Sequence, residues 1–94
     1  MSVKVRKQTE IAAILEMSNG KKYTFFPDGG SVASIINTIS SYGLKGRAIL
    51  KVYDELGNLL GASLQELVTV TPVYFADASE ELIKMSPYTY ETIE

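Results

Sequence analysis

The chain has 94 residues, the length of one domain, and its 46% hydrophobic and 21% charged residues are ordinary for a globular protein. It contains neither cysteine nor histidine, which excludes disulfides, thiolate nucleophiles, imidazole bases and the usual zinc sites. No apolar run approaches the ~18 residues of a membrane span. The basic N-terminus lacks the apolar segment of a signal peptide, so we expect a cytoplasmic or intravirion location.

The formal net charge of −2 conceals a division between the two halves of the chain. Residues 1–51 carry eight basic and three acidic side chains, a net +5, whereas residues 52–94 carry one basic and eight acidic, a net −7. The basic half could attract an anionic partner. Alternatively, the halves pack together or against a second copy, which is the interpretation we favour. We expect a single domain over residues 1–94, with a basic arm at 1–8 and an acidic tail at 86–94.

Two β-permissive segments, residues 11–17 and 23–26, predict the first hairpin. Asn19 and Gly20 between them indicate a two-residue turn, because both tolerate positive φ. Both faces of this hairpin carry apolar side chains, so we expect a cover on each face. The predicted pairs are Glu16 with Tyr23, Leu15 with Thr24, and Ile14 with Phe25.

A helix follows a turn at residues 27–30. Ser31 is the expected N-cap, and Gly43 is the expected left-handed residue after the helix. The apolar residues recur at helical spacing, and the opposite face carries no charge, which indicates a second covering element or a partner. The helical stripe comprises Val32, Ile35, Ile36 and Ile39.

The second hairpin begins at residue 47 and turns at residues 54–58, with Gly57 in the left-handed region. Its inner face is apolar, and we expect Leu50, Val52 and Leu60 to be buried there. Its outer face carries Ile49, Tyr53 and Leu59, with Arg47 and Lys51 at the rim. We expect this face either to form an interface or to be covered by the C-terminal segment of the same chain. The predicted pairs are Tyr53 with Leu59, Val52 with Leu60, Leu50 with Ala62, and Ala48 with Leu64.

The C-terminal third contains weaker signals. Residues 68–75 predict an edge strand or two short strands, because Pro72 cannot donate to a ladder. A capping box at residues 77–80 predicts a short helix over 80–85. The tail at 88–94 alternates like a strand and has no evident mate. The whole pattern predicts an α+β two-layer sandwich: an antiparallel sheet of two hairpins in the order ββ-α-ββ, one main helix, and a C-terminal strand and short helix.

Carboxylates are the remaining candidates for catalysis. Asp54 and Glu55 are adjacent in a tight turn, which directs their side chains apart. Glu80 and Glu81 lie in the first turn of a helix, where acidic groups favour the dipole. The oxygen spacing of a calcium loop is absent. We therefore expect no enzymatic activity, no catalytic residue, no cofactor and no metal.

Two weaker signals indicate anion binding. Gly29, Gly30 and Ser31 precede a helix N-terminus, and Lys21 and Lys22 lie one strand away. No phosphate-loop or dinucleotide motif is present. A basic arm with strand aromatics is typical of single-strand nucleic-acid binders, but a pI of about 5.1 is low for that class. Binding of nucleic acid or of a phosphorylated small molecule through the basic half is the alternative function.

The main hypothesis is a non-enzymatic protein-interaction module that self-associates, acting as an assembly subunit or as an inhibitor of a partner protein. The apolar sheet faces that need a cover, the uncharged helix face and the division of charge between the two halves motivate it. The outer face of the second hairpin also carries tyrosine and arginine, which are enriched at interfaces. The tail would suit addition to the sheet edge of a neighbour. The compact make-up would suit a small viral or mobile-element protein. The interface candidates are Arg47, Ile49, Lys51, Tyr53, Leu59, Tyr88 and Tyr90.

Overall fold

The computed structural model describes residues 2–27, 34–46 and 48–93. The elements confirm the α+β class and the ββ-α-ββ order, with a further strand and a short helix after it. In chain order they are β1 (Ser2–Val5), β2 (Glu10–Met17), β3 (Lys22–Phe25), α1 (Ile35–Leu44), β4 (Ile49–Tyr53), β5 (Leu59–Ser63), β6 (Leu67–Tyr74), α2 (Glu80–Met85) and β7 (Thr89–Thr92).

The main sheet is antiparallel and has the strand order β5-β4-β3-β2-β6. Strand β6 forms one edge and contains Pro72, as predicted, and β5 forms the other edge. The crossover from β3 to β4 contains α1. Strands β1 and β7 pair with each other in parallel as a separate two-stranded sheet.

The first hairpin differs from its predicted register by one residue: Leu15 lies opposite Tyr23, and Ile14 lies opposite Thr24. The cause is a three-residue loop, in which the Met17 N–H donates to the Lys21 carbonyl oxygen at 2.9 Å. Within this loop only Gly20 has positive φ, at 83°, so the predicted two-residue turn with positive φ at Asn19 is wrong.

This shift changes the face on which each side chain of the hairpin lies. Phe25 now shares a face with Leu15 and Met17, whereas the predicted register placed it with Ile14. The side-chain period of a strand is two, so a slip of one residue exchanges the faces. The expectation of a cover on each face of the hairpin is confirmed, because a separate core lies on each face.

The second hairpin has the predicted register throughout β4 and β5. Gly57 has a φ of 83°, and the Gly57 N–H donates to the Asp54 carbonyl oxygen at 3.1 Å, as expected of the turn. Leu50 and Val52 are buried, but Leu60 is 39% exposed. Burial of Leu60 was therefore predicted wrongly: the first core covers Ala62 on the same face of β5 but not Leu60.

Helix α1 continues past its predicted end. Gly43 is helical, and the residue with positive φ is Gly46, at 77°. Ile35 and Ile39 are buried against the sheet, whereas Ile36 is 49% exposed. The Ile35 N–H donates to a carboxylate oxygen of Glu10 at 2.9 Å, which ties the start of the helix to β2. The predicted cap at Ser31 and the stripe residue Val32 lie outside the described residues.

Two cores lie on opposite faces of the main sheet. The first core lies between the sheet and α1, and the second lies between the sheet and a layer made of β1, α2 and β7. The buried residues of the first core are Ala13, Leu15, Met17, Phe25, Ile35, Ile39, Leu50, Val52 and Ala62. Those of the second core are Val3, Val5, Ile11, Ala12 and Phe26.

The terminal segments complete the second core. Lys4 of β1 lies opposite Glu91 of β7, and the Ile93 N–H donates to the Val5 carbonyl oxygen at 2.9 Å. Residues 2–5 of the basic arm thus form a paired strand, and the tail, for which the sequence showed no mate, pairs with it in the same chain. Helix α2 has the predicted bounds, but its N-cap is Ser79, whose hydroxyl accepts from the Leu82 N–H at 3.2 Å.

Candidate interaction surface

The outer face of the β4–β5 hairpin is divided into a covered and an uncovered part. Tyr53 is half-buried against the second core, with its ring centroid 5.6 Å from that of Phe26 in an edge-to-face arrangement. On the same face, Leu59 lies directly opposite Tyr53 and is 57% exposed, and Ile49 at the other end of β4 is 60% exposed. These two residues form the uncovered apolar part, and Lys51 lies exposed beside them.

Ile49, Lys51 and Leu59 are exposed on this surface, as expected from the sequence. The candidate tyrosines, in contrast, pack against other parts of the same chain. The Tyr88 hydroxyl donates to the Pro27 carbonyl oxygen at 2.8 Å. The Tyr90 ring packs 5.9 Å from Phe75, between centroids. Both therefore belong to the packing of the second core. Arg47, the remaining candidate, lies outside the described residues.

The Tyr90 side chain is half-buried, and its hydroxyl is hydrogen-bonded within the chain. Burial raises the pKa of the Tyr90 hydroxyl above its usual value of 10.0, and the hydrogen bond with Ser86 opposes that rise. The two hydroxyl oxygens are 2.7 Å apart. This hydrogen bond joins the start of β7 to the end of α2 beside the second core.

Strand β5 has a free backbone edge whose direction follows from the hairpin. The Leu64 N–H donates to the Ala48 carbonyl oxygen at 2.8 Å, and Leu64 and Ala48 continue the pairing of the even-numbered residues. Backbone groups alternate in direction along an antiparallel strand. Odd-numbered residues of β5 therefore direct their N–H and C=O groups away from β4. These outward residues are Leu59, Gly61 and Ser63.

The opposite edge, β6, is protected. Odd-numbered residues of β2 bond to β3, because Met17 bonds to Lys21 and the pairing of Ala13 with Phe25 follows in phase. Ala13 also lies opposite Pro72 of β6, and that pair is consequently not hydrogen-bonded. The nitrogen of Pro72 points outward from the sheet, where it removes a donor from the middle of the exposed edge. Proline in this position is a known protection of sheet edges.

A groove of about 580 Å³ lies between the two hairpin turns. It brings together Lys21 and Lys22, which were candidates for anion binding, with Asp54 and Glu55. The Asn58 N–H donates to Asp54 Oδ1 at 2.8 Å and lowers the pKa of that carboxyl below 3.8, so the groove carries charges of both signs. The other anion-binding candidates, Gly29, Gly30 and Ser31, lie outside the described residues.

The acidic pairs are placed as the sequence suggested. Asp54 Oδ1 accepts from the Leu56 N–H at 2.9 Å as well as from Asn58, which makes it a turn-forming side chain. Glu80 and Glu81 occupy the first turn of α2. Among residues 2–27, 34–46 and 48–93, no group of three acidic side chains is close enough to hold a metal ion. No helix in the same ranges is long and apolar enough to cross a membrane.

No family model, curated protein or solved structure matches the chain. Sequence reasoning missed two features of the sheet edges, the outward direction of the Pro72 nitrogen and the position of Gly61 at the centre of the free edge. Both features follow from the register of the strands, and the residue composition of each segment does not determine that register.

Proposed function

We propose that the protein is a non-enzymatic interaction module that self-associates through its β4–β5 hairpin, as an assembly subunit. One observation carries the proposal: the hairpin combines the free backbone edge of β5 with the uncovered side chains of Ile49 in β4 and Leu59 in β5. Edge strands with exposed apolar residues are templates for pairing with another chain, and proteins that stay monomeric normally protect them. A use of the same hairpin to inhibit a partner protein, and a cytoplasmic or intravirion location, remain predictions.

The sheet faces themselves no longer argue for a partner, because α1 covers one and the terminal layer covers the other. What supports the proposal is the contrast between the two edges. Residues 59–63 contain neither charge nor proline, whereas the other edge carries Pro72 with its nitrogen directed outward. An edge left without protection is consistent with use as an interface.

The alternative function, binding of nucleic acid or of a phosphorylated small molecule, has less support. Lys21 and Lys22 share their groove with Asp54 and Glu55, which oppose the attraction of an anion. In the terminal sheet, Lys4 lies opposite Glu91. The positive and negative halves of the chain thus meet within one molecule, at least at these two places.

The test compares two charge substitutions at matched exposure. Leu59→Glu places a charge in the proposed interface, and Val68→Glu places one on the β6 edge, where Val68 is 61% exposed. Solution mass is measured by light scattering from roughly 10 to 500 μM, a range that covers micromolar affinities. We expect the wild type and Val68→Glu to gain mass with concentration, whereas Leu59→Glu stays a monomer with an unchanged circular dichroism spectrum.

Two results would contradict the proposal. One is a wild-type protein that is monomeric over the whole concentration range. The other is an equal loss of mass in Val68→Glu and Leu59→Glu, which would show that association depends on general surface charge.

A further inference from the structure

We infer that the partner of β5 is the β5 strand of a second copy, paired antiparallel about a two-fold axis at Gly61. This inference deepens the proposed function and rests on it: it names the occupant of the edge and the register of the contact. In that register Gly61 lies opposite the partner's Gly61, and Leu59 lies opposite the partner's Ser63. The two five-stranded sheets become one continuous sheet of ten strands.

The backbone of β5 is complementary to itself in this register. Three residues direct their N–H and C=O groups outward, and the central one is Gly61. An antiparallel copy presents the same three residues in reverse order, so each outward residue meets an outward residue of the partner. A pair of outward residues can exchange two hydrogen bonds, but the Ser63 carbonyl caps the 3-10 helix at Leu64–Glu66 and already accepts a bond there, so we expect about four across the interface. A contact in which one patch meets itself is the form that two-fold dimers require.

The side chains near the axis also fit a second copy. A Cβ on Gly61 would lie 2.9 Å from Cγ2 of Ile49, so the Ile49 side chain covers the backbone of Gly61 on the outer face. Across the axis, Leu59 would lie beside the partner's Ser63, and the partner's Ile49 would follow in the same row on the next strand. Leu59 and the partner's Ile49 would thus flank Ser63 on the outer face of the joined sheet. On the other face, Leu60 would meet the partner's Ala62.

Charge does not oppose this pairing. Residues 59–63 are uncharged, and the nearest basic side chain on the outer face is Lys51, which lies opposite Gly61 in β4. Three strand spacings separate the two Lys51 positions, about 14 Å. That separation exceeds the Debye length of about 8 Å at physiological ionic strength, so their repulsion is largely screened.

The closed pair is favoured over an open chain of copies. A filament would need β5 of one copy to bond to β6 of the next, where the Pro72 nitrogen cannot donate. The contact of one strand edge is smaller than the roughly 1,200–2,000 Å² of a stable interface. We therefore expect a two-fold dimer with a dissociation constant in the micromolar range.

The first experiment removes one outward donor from the β5 edge. Ser63 has a φ of −75°, which suits proline, and its N–H points away from β4, so Ser63→Pro leaves the hairpin ladder intact. The Ser63 hydroxyl accepts from the Gln65 N–H at 3.3 Å, and Ser63→Ala is the control for losing that bond. By analytical ultracentrifugation, we expect Ser63→Pro to weaken dimerisation about tenfold or more, and Ser63→Ala to match the wild type.

The second experiment tests the register by disulfide formation, using the absence of native cysteine. Leu59→Cys and Ser63→Cys variants are mixed and oxidised. In the proposed register the two positions face each other with Cα atoms about 5.5 Å apart, within disulfide range. Each position lies about 14 Å from its own copy. We expect the mixed disulfide between the two variants, and little dimer from either variant alone.

The outcomes separate this inference from the proposed function. Concentration-dependent mass that Leu59→Glu abolishes, but with no mixed disulfide and with Ser63→Pro like the wild type, overturns the β5 pairing and leaves the function standing. Strong cross-linking of Leu59→Cys with itself also overturns the register. A wild-type monomer at every concentration overturns both.

Discussion

Leu50 contributes the largest of the β4–β5 hairpin side chains buried in the first core. It is 3% exposed and lies on the same face as Val52 and Ala62, opposite α1. Leu50→Ala removes that packing and leaves a cavity, so we expect the free energy of unfolding to fall by about 2–5 kcal/mol in urea denaturation. Leu56→Ala, at a position 86% exposed, should change it by less than about 0.5 kcal/mol.

A loss below about 1 kcal/mol for Leu50→Ala would contradict this placement. At this scale the sequence predicted Leu50 and Val52 correctly, because alternation along a strand assigns each side chain to a face. It did not predict the exposure of Leu60, which depends on how far α1 extends over the edge strand. Alternation shows the face on which a side chain lies, but not whether that part of the face is covered.

The turn of each hairpin determines the register of the two strands that it joins. Asp54 forms the second turn with its own side chain, so the loop length could be predicted from the residues present. Asn19-Gly20 is compatible with a loop of either two or three residues. The choice depends on Met17, whose N–H bonds to Lys21, and no local signal distinguishes that bond from the alternative. The first register was therefore one residue off, and the second was right.

Gly57 and Gly43 test the conformational argument at this scale. Gly57 has a φ of 83°, whereas Gly43 lies within α1, and a Cβ at either position would meet no atom within 4 Å. We expect Gly57→Ala to lower the free energy of unfolding by about 1–2 kcal/mol, because alanine is strained at positive φ. Gly43→Ala should raise it by about 0.5–1 kcal/mol, through the higher helix propensity of alanine.

Chemical denaturation of the two alanine variants checks these signs. If both substitutions had the same effect, the difference in backbone conformation between the turn and the helix would not account for the stabilities. Neither new methyl group would contact another atom within 4 Å, so the difference in stability between the two variants reports the backbone conformation at each position.

Closure of the whole molecule depends on its two terminal strands. The pairing of β1 with β7 joins segments that are farthest apart in the chain, and no turn or hairpin signal announces such a contact. The alternation of Val3 and Val5 was present in the sequence, but without a mate it could not be assigned to a face. The missing pairing also explains the error in the candidate interface. Tyr53, Tyr88 and Tyr90 are half-buried because they pack against the second core, which this layer closes. Ile49 and Leu59 stayed exposed because the layer does not extend to the β5 side of the sheet.

A disulfide between the terminal strands would test whether that layer closes within one molecule. Lys4 lies opposite Glu91, and both side chains are exposed. In the double variant Lys4→Cys/Glu91→Cys, oxidation should give an intramolecular bond, seen as faster migration on non-reducing gels. It should raise the free energy of unfolding by about 2–4 kcal/mol, since it constrains a long loop of the unfolded chain.

The matched control for this variant is Lys4→Cys/Thr89→Cys, because Thr89 lies on the same exposed face of β7 but pairs with Ser2. Two residues of offset add about 6.6 Å along the strand, which places the sulfur atoms out of register. The control should oxidise slowly and give little stabilisation. A covalent dimer as the main product of Lys4→Cys/Glu91→Cys at low micromolar concentration would show that β1 and β7 pair between molecules. The terminal layer would then be an interface, and β5 would no longer be the principal contact between copies.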